Sequence, residues 1–430
     1  MNTHRTLFSS RRIGWILVGC ALGFALAGTG SAAQQVTALV GARIWDGTGA
    51  EAISNGLMLV RDGRITYVGE RGDVPVPSGA AVVNLNGRTI IPGLINTHGH
   101  VGGTLGLGGG QYNRPNLIRQ LRLYAEYGVT TVNSLGGEGP AAVALRDEQS
   151  MTGLDRARVF VAGAVVTGNT VDAALAIVQR NADMDVDWMK LRVDDNLGSS
   201  QKMSPQIYSA VIDRSHELGL RLASHMFYLS DAKALLRAGT DFLAHSIRDM
   251  DVDQEFLGML AASGICYTPT MTREISTYVY ESRPDFFDDP FFLSHFDQAE
   301  QERFQESRQA SSARAQPYKE ALRVALRNVK AIVDAGLPVV MGTDTGPAGR
   351  HQGYFEHMEL DLMAEAGLTP EQVLLSATGL AAECLRIDDE IGTLRPNRWA
   401  DFIVLTENPL DDIRNARSIE SVWIAGEALR

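Results

Sequence analysis

From residue 89 to residue 346 the chain repeats one pattern, a short apolar run followed by a stretch of helical period, and this alternation restricts the fold more than any other feature. The eight runs are TIIPGLINTH, GVTTVNSL, RVFVAGAVV, VDWMKLRV, LRLASHMF, TDFLAHSI, GICYTPTM and LPVVMGTDTG. Runs of that length, apolar throughout, suit strands buried on both faces of a parallel sheet. Between them lie helical segments such as SPQIYSAVIDRSHELG and SDAKALLRAG, which end at glycine as helices commonly do. Eight strand and helix units are what a (β/α)8 TIM-type barrel needs. The chain is therefore predicted to be α/β, with its reactive groups at the C-terminal ends of the strands.

The two ends of the chain have another texture. VTALVGARIWDGTGAEAISNGLMLVRDGRITYVGE holds short β-rich runs broken by DGTGAE and RDGR turns, and a similar pattern returns in ADFIVLTENPLDDIRNARSIESVWIAGEAL. The expectation is one small β-sandwich domain formed by residues 34–90 and 391–430, beside a barrel of residues 91–390. Residues 272–317 carry no strand pattern, and Phe286, Phe287, Phe291 and Phe292 there flank two acids and a proline. Coming after the seventh run, this insertion is expected either to cover the barrel mouth as a lid or to be buried against a second copy in a homo-oligomer.

Polar groups collect at the strand ends where such a barrel would react. In THGH, residues 97–100, His98 and His100 are two apart, so both imidazoles point to one face of the strand. Lys190 lies in the fourth run, His225 and His245 end the fifth and sixth, and Asp344 ends the eighth. Any one of them has an ordinary explanation as a cap or a locally hydrogen-bonded group. Six at the same end of one barrel point to a metal site. Imidazole with carboxylate and no thiolate suits Zn2+, with Mn2+, Fe2+ and Co2+ also compatible.

At 430 residues, 45% hydrophobic and 21% charged, the chain has the composition of a globular protein. A formal charge of -12 without a basic cluster argues against a nucleic-acid surface. Residues 1–33 begin with Arg5, Arg11 and Arg12, continue through IGWILVGCALGFALAG and end in TGSAA, the three-part form of a secretory signal cleaved after Ala33. The apolar run is short for a membrane span, so the expectation is a periplasmic or secreted protein with no membrane attachment after cleavage. SSRR also permits twin-arginine export and LVGC a lipoprotein site at Cys20, although the apolar stretch runs on beyond that cysteine. Cys266 and Cys384 then remain. Two cysteines make no disulfide framework, and the core is expected to carry stability by itself.

On IIPGLINTHGH, VDWMKLRV, LASH, FLAHS and VVMGTDTG, and on LLSATGLAAECLRIDDEIGTLRPNRWADFIVLTENPL near the end, the chain resembles the amidohydrolase superfamily of metal-dependent hydrolases over essentially all of the mature chain. Within it the likeness is to the prolidase-like, imidazolonepropionase-related group, which includes metallo-dipeptidases and ochratoxinase-type amidases. The resemblance implies that His98, His100 and Asp344 bind the more buried of two divalent ions. It implies that His225 and His245 bind the more exposed one, and that a carboxylated Lys190 bridges the pair. An ammonium cannot ligate a cation, whereas its carbamate offers two anionic oxygens. A hydroxide shared by the ions would attack the substrate carbonyl, and Asp344 would pass its proton to the leaving amine. Deaminase branches of the superfamily usually carry a Glu soon after the fifth-strand His and lack the lysine; SHMFYLSDAK has no acid within four residues of His225. Many members hold the substrate with a Tyr or His two residues after that His. Here Phe227 takes that place and Tyr228 follows it, which leaves the carbonyl anchor open.

Other residues are candidates for reading the substrate. Arg192 lies two beyond Lys190 and faces the same way, where a guanidinium would either fork a substrate carboxylate or pair with Asp194 or Asp195. Arg350 and His351, in GPAGRHQG after the eighth run, sit in a loop suited to function. Together these features predict an exported binuclear metal hydrolase that cleaves amide or peptide bonds of small substrates, dipeptides or N-acyl amino acids. Hydrolysis of cyclic amides or lactones is the alternative. A mononuclear deaminase and a non-catalytic binding protein stand behind these, the latter opposed by the complete set of ligands.

Overall fold

The parallel strands form where the apolar runs lie. The computed structural model describes residues 36–305 and 315–429. The signal expected over 1–33, with Cys20 and the cleavage site at Ala33, lies outside the described residues, as do residues 306–314 of the insertion. Leu94–Gly99, Val129–Ser134 and Arg158–Val161 pair in parallel as a three-stranded sheet with Val129–Ser134 in the middle. Trp188–Arg192, Arg221–His225, Phe242–Ala244 and Cys266–Thr268 form a four-stranded parallel sheet in chain order. Leu94–Gly99 and Val129–Ser134 are buried at every position, as continuous apolar runs between covering helices should be. The helices read from sequence are present as Pro205–Glu217 and Leu229–Ala238, the second closed by Gly239 at φ 89°.

The eighth run differs from expectation, since it bridges its neighbours without becoming a regular strand. Val339 pairs in parallel with Tyr267. The Met341 carbonyl accepts from Thr97 N–H at 3.0 Å, and the His98 carbonyl accepts from Thr343 and Asp344 N–H at 3.0 and 2.7 Å. Asp344 leaves the extended region at φ 58°, which ends the run, and Gly342 before it is packed so closely that a Cβ there would lie 2.4 Å from Thr268 Oγ1. On the other side Val166 bridges Leu191 in parallel, its N–H donating to the Lys190 carbonyl at 2.7 Å.

The chain ends meet in one sheet. Thr89–Pro92 pairs antiparallel with Phe402–Leu405, which continues to Ile419–Ile424 and Glu427–Ala428, while Arg43–Ile44 pairs on the far side. A four-stranded sheet of Arg64–Glu70, Gly56–Arg61, Thr37–Val40 and Ala81–Asn84 shares a buried cluster with it, in which Leu39, Met58 and Ile65 meet Ile90, Phe402 and Val404.

One expectation is corrected. The cysteines do not leave stability to the core alone: Cys266, opening the seventh strand, is bonded to Cys384 in the helix Gly379–Leu385, with Cα atoms 5.9 Å apart. They lie 118 residues apart in sequence, so only the folded arrangement brings them together. The phenylalanines of the insertion find their cover within the chain. Phe286, Phe287, Phe292 and Phe296 are buried with Tyr127, Tyr354 and Phe355. At roughly 1.5–3 kcal/mol for each buried ring, this packing fastens the insertion to the helix Tyr354–Glu365 and to Tyr127. Among the described residues, no helix is long and apolar enough to cross a membrane.

Candidate functional site

The strand ends bring the six candidate ligands to one cavity of about 220 Å³, lined by His98, His100, Lys190, His225, His245 and Asp344. His100 Nε2 is 2.7 Å from Asp344 Oδ1, His98 Nε2 is 3.6 Å from the same oxygen, and Lys190 Nζ is 3.2 Å from His98 Nε2. The His98 and His245 rings are 4.6 Å apart and the His225 and His245 rings 4.1 Å. Ligating atoms of His98, His245 and Asp344 all lie within 4.8 Å of one another. Two of the six are in the left-handed region, His245 at φ 79° and Asp344 at φ 58°, and Thr270, which holds His245, is there too at φ 50°. Side chains other than glycine pay for that conformation, and such strain concentrates where geometry serves a site.

Hydrogen bonds from outside the cluster select which imidazole nitrogen faces inward. His100 Nδ1–H donates to the Gly136 carbonyl at 2.8 Å, which leaves Nε2 toward Asp344. His225 Nε2–H donates to the buried Asp194 carboxylate at 2.8 Å, leaving Nδ1 free to face the cavity. His245 Nδ1 lies 2.7 Å from the Thr270 hydroxyl, leaving Nε2. Outer partners of this kind orient histidines for a metal and raise their basicity.

Charge follows burial. Desolvation pushes His98 and His245 well below the usual histidine range and His225 down to about 3, so all three are neutral donors. Burial also lowers Lys190 to about 7. Burial would raise Asp344, but Arg350 and the hydrogen bond to His100 outweigh it and hold this carboxyl well below the ordinary range. His100 moves the other way: burial lowers it, yet Asp344 wins and raises it. Neutral imidazoles beside an ionised carboxylate are the donor set of a divalent-cation site, and a cation would replace the proton that His100 and Asp344 share. The residues present fit such an ion.

The candidate substrate readers separate. Arg192 does line the cavity, with its Nη2 on Asn196 Oδ1 and 3.5 Å from Asp194 Oδ2, so the pairing with Asp194 and the place at the mouth coexist. Tyr228 is not among the lining residues; its hydroxyl donates to Asp195 at 2.9 Å and Lys202 sits 3.9 Å above its ring. His351 is likewise elsewhere, buried in the aromatic cluster with its ring 4.9 Å from Phe292, because the loop turns it inward while its neighbour Arg350 contacts Asp344. Sequence reasoning missed Arg273. It enters the cavity from the helix Met271–Ile275, pairs with the buried Glu274 at 3.3 Å and comes within 3.9 Å of Asp344. Glu138 was also missed, although applying the strand-end rule to the second run would have drawn attention to it.

An α/β scaffold that gathers four histidines, a lysine and an aspartate in one cavity has the residue types of a metal-dependent hydrolase. Residues 89–429 match the amidohydrolase family, and the chain belongs to that family of hydrolases. Ochratoxinase from Aspergillus niger is 24% identical over 242 residues, a stretch covering 55% of this chain and 43% of that protein. The chain therefore matches less than half the length of that relative. A crystallised protein from Bifidobacterium longum, described as a prolidase, superposes with a TM-score of 0.74 at 24% identity, covering 92% of this chain and 94% of the other. A Xaa-Pro dipeptidase with methionine in its active site gives 0.71 at 20% identity, with coverages of 92% and 99%. At these identities the two structures speak for the fold.

Proposed function

We propose that this chain is an exported, binuclear metal-dependent amidohydrolase that cleaves the amide or peptide bond of dipeptides or N-acyl amino acids. The observation that carries the reading is the convergence of four imidazoles, Lys190 and Asp344, with three histidines turned by outer hydrogen bonds to present one nitrogen each. The frame proposed is a closed (β/α)8 barrel over 91–390 with a composite β domain of 34–90 and 391–430, supported by the bridges at Val166 and Val339 and by the sheet that joins the chain ends.

His98, His100 and Asp344 would hold one ion and His225 and His245 the other, with carboxylated Lys190 between them. Two divalent ions, Zn2+ being the first candidate, supply a Lewis acid for the carbonyl and a water of lowered pKa. With its pKa near 7, Lys190 is in good part a free amine at neutral pH, the form that adds carbon dioxide to give a carbamate and a proton. Asp344, kept ionised by Arg350, accepts the proton of the attacking water and returns it to the leaving nitrogen. Arg192 and Arg273 bind the substrate's free carboxylate, and Leu135 and Val165 give the cavity an apolar wall. A cavity of about 220 Å³ accommodates a small substrate such as a dipeptide. Export is supported by the signal-like residues 1–33 and by the Cys266–Cys384 bridge, which suits an oxidising compartment.

The test joins metal content per chain, for wild type and Lys190→Ala, to a panel of dipeptides and N-acyl amino acids set against cyclic amides and lactones. Two ions falling to one or none in the variant, with turnover of the linear amides, is the expected result. Turnover confined to the cyclic substrates, or an ion count that Lys190→Ala does not change, overturns the reading.

A further inference from the structure

Resting on the metal centre proposed above, we infer that Glu138 is a positioning residue for His100: its carboxylate fixes which nitrogen His100 offers to the ion. Glu138 is buried in the loop after the strand Val129–Ser134 and does not touch the cavity. Its carboxylate accepts from the Ser134 hydroxyl at 2.5 Å, from Gly136 N–H at 3.0 and 3.1 Å and from Ala162 N–H at 3.1 Å.

Two of these contacts lead to His100 by separate routes. Gly136, gripped through its N–H, turns its carbonyl to His100 Nδ1 at 2.8 Å. Ser134, whose proton goes to Glu138, uses the same oxygen to accept Val101 N–H at 2.9 Å, and Val101 directly follows His100. Ring and backbone of one ligand are thus both referred to one carboxylate. Gly136 has φ 128°, and a Cβ there would lie 2.4 Å from Val165 Cγ2, so only glycine fits this turn, and its freely turning backbone needs the carboxylate to fix its direction. Without Glu138 the carbonyl is released, the Nδ1–H form of His100 loses its acceptor, and both tautomers become accessible.

The experiment uses the whole protein as Glu138→Ala and Ser134→Ala. Zinc affinity is read by competition with a chelator, and the nitrogen on which His100 keeps its proton by imidazole 15N NMR in the zinc-loaded protein, assigned against His100→Gln. Glu138→Ala should weaken zinc binding by roughly 10–100-fold and give His100 mixed tautomers. Ser134→Ala, which cuts one route and keeps the other, should lose less and guards against a Glu138 variant that does not fold. Wild-type affinity with an unchanged tautomer in both variants overturns the inference, and so does an affinity loss with the tautomer unchanged, since that is what general loosening would produce. Should wild type hold no zinc, the metal reading fails by itself, while solvent exchange of His100 Nδ1–H, faster in Glu138→Ala if the Gly136 carbonyl is released and unchanged if it is not, still decides the role of Glu138.

Discussion

Glu359→Gln should change how stability depends on pH. Glu359 lies on the helix Tyr354–Glu365 and holds the start of the helix Met271–Ile275, from which Arg273 enters the site. Its Oε1 accepts Met271 N–H at 2.7 Å and its Oε2 accepts Thr272 N–H at 2.7 Å. Burial raises this carboxyl from 4.5 to about 8 despite those donors. Oε2 also accepts from the Thr272 hydroxyl at 2.8 Å. Between these pH values the native state binds a proton that the unfolded chain has released. The contribution of Glu359 is therefore complete below pH 4.5 and is lost as pH rises through 8. At about 1.36 kcal/mol for each pH unit, the loss from about pH 5 to 8 is on the order of 3 kcal/mol.

A glutamine has no proton to release, so its effect is constant with pH. Its amide nitrogen faces Thr272 N–H, and the unpaired donor costs about 1–3 kcal/mol. The stability gap between wild type and variant should favour wild type at pH 5 and close or reverse by pH 8. Denaturant unfolding followed by tryptophan fluorescence at pH 5, 6.5 and 8 measures it. The buried histidines, held neutral in the native state, tilt both proteins in the opposite sense below their unfolded pKa and cancel in the difference. A gap that stays constant across this range refutes the reasoning.

Asp344→Asn should retain the fold, by circular dichroism and thermal unfolding, and lose about 10²–10⁴-fold in kcat; retained turnover would remove Asp344 as the proton carrier. Arg273→Met should raise KM for an N-acyl amino acid by about 10–100-fold, the value of a charge-assisted hydrogen bond, and have far less effect on the corresponding amide, which lacks the carboxylate. Equal losses on both substrates would deny Arg273 that role. Cys266→Ser with Cys384→Ser opens a loop spanning 118 residues. Denaturant titrations should then show about 4 kcal/mol less stability than in the oxidised protein, and coincident curves would mean that the bridge does not form.

Local spacing carried a large part of this protein. A repeat of strand-length apolar runs and glycine-ended helices determined an α/β chain with parallel strands, because burial on both faces leaves no other use for such runs. The two-residue period of THGH determined that His98 and His100 share a face, and strand ends marked Lys190, His225, His245 and Asp344. These facts depend on neighbours within a few residues, and sequence displays them directly.

The tertiary structure decided what depends on distant partners. Which nitrogen His100 presents is set by a carbonyl 36 residues away, and His225 is turned by a carboxylate 31 residues before it. His351 and Arg350 are adjacent in sequence, yet one is packed among phenylalanines of the insertion and the other lies on Asp344, a choice made by the loop's path and by no residue preference. The eighth run leaves the extended conformation at Asp344, whose φ of 58° is fixed by its place in the site. Arg273, Glu138 and the Cys266–Cys384 pair escaped notice for the same physical reason: hydrogen bonds, ion pairs and bridges between remote segments exist only once the parallel strands have brought those segments side by side.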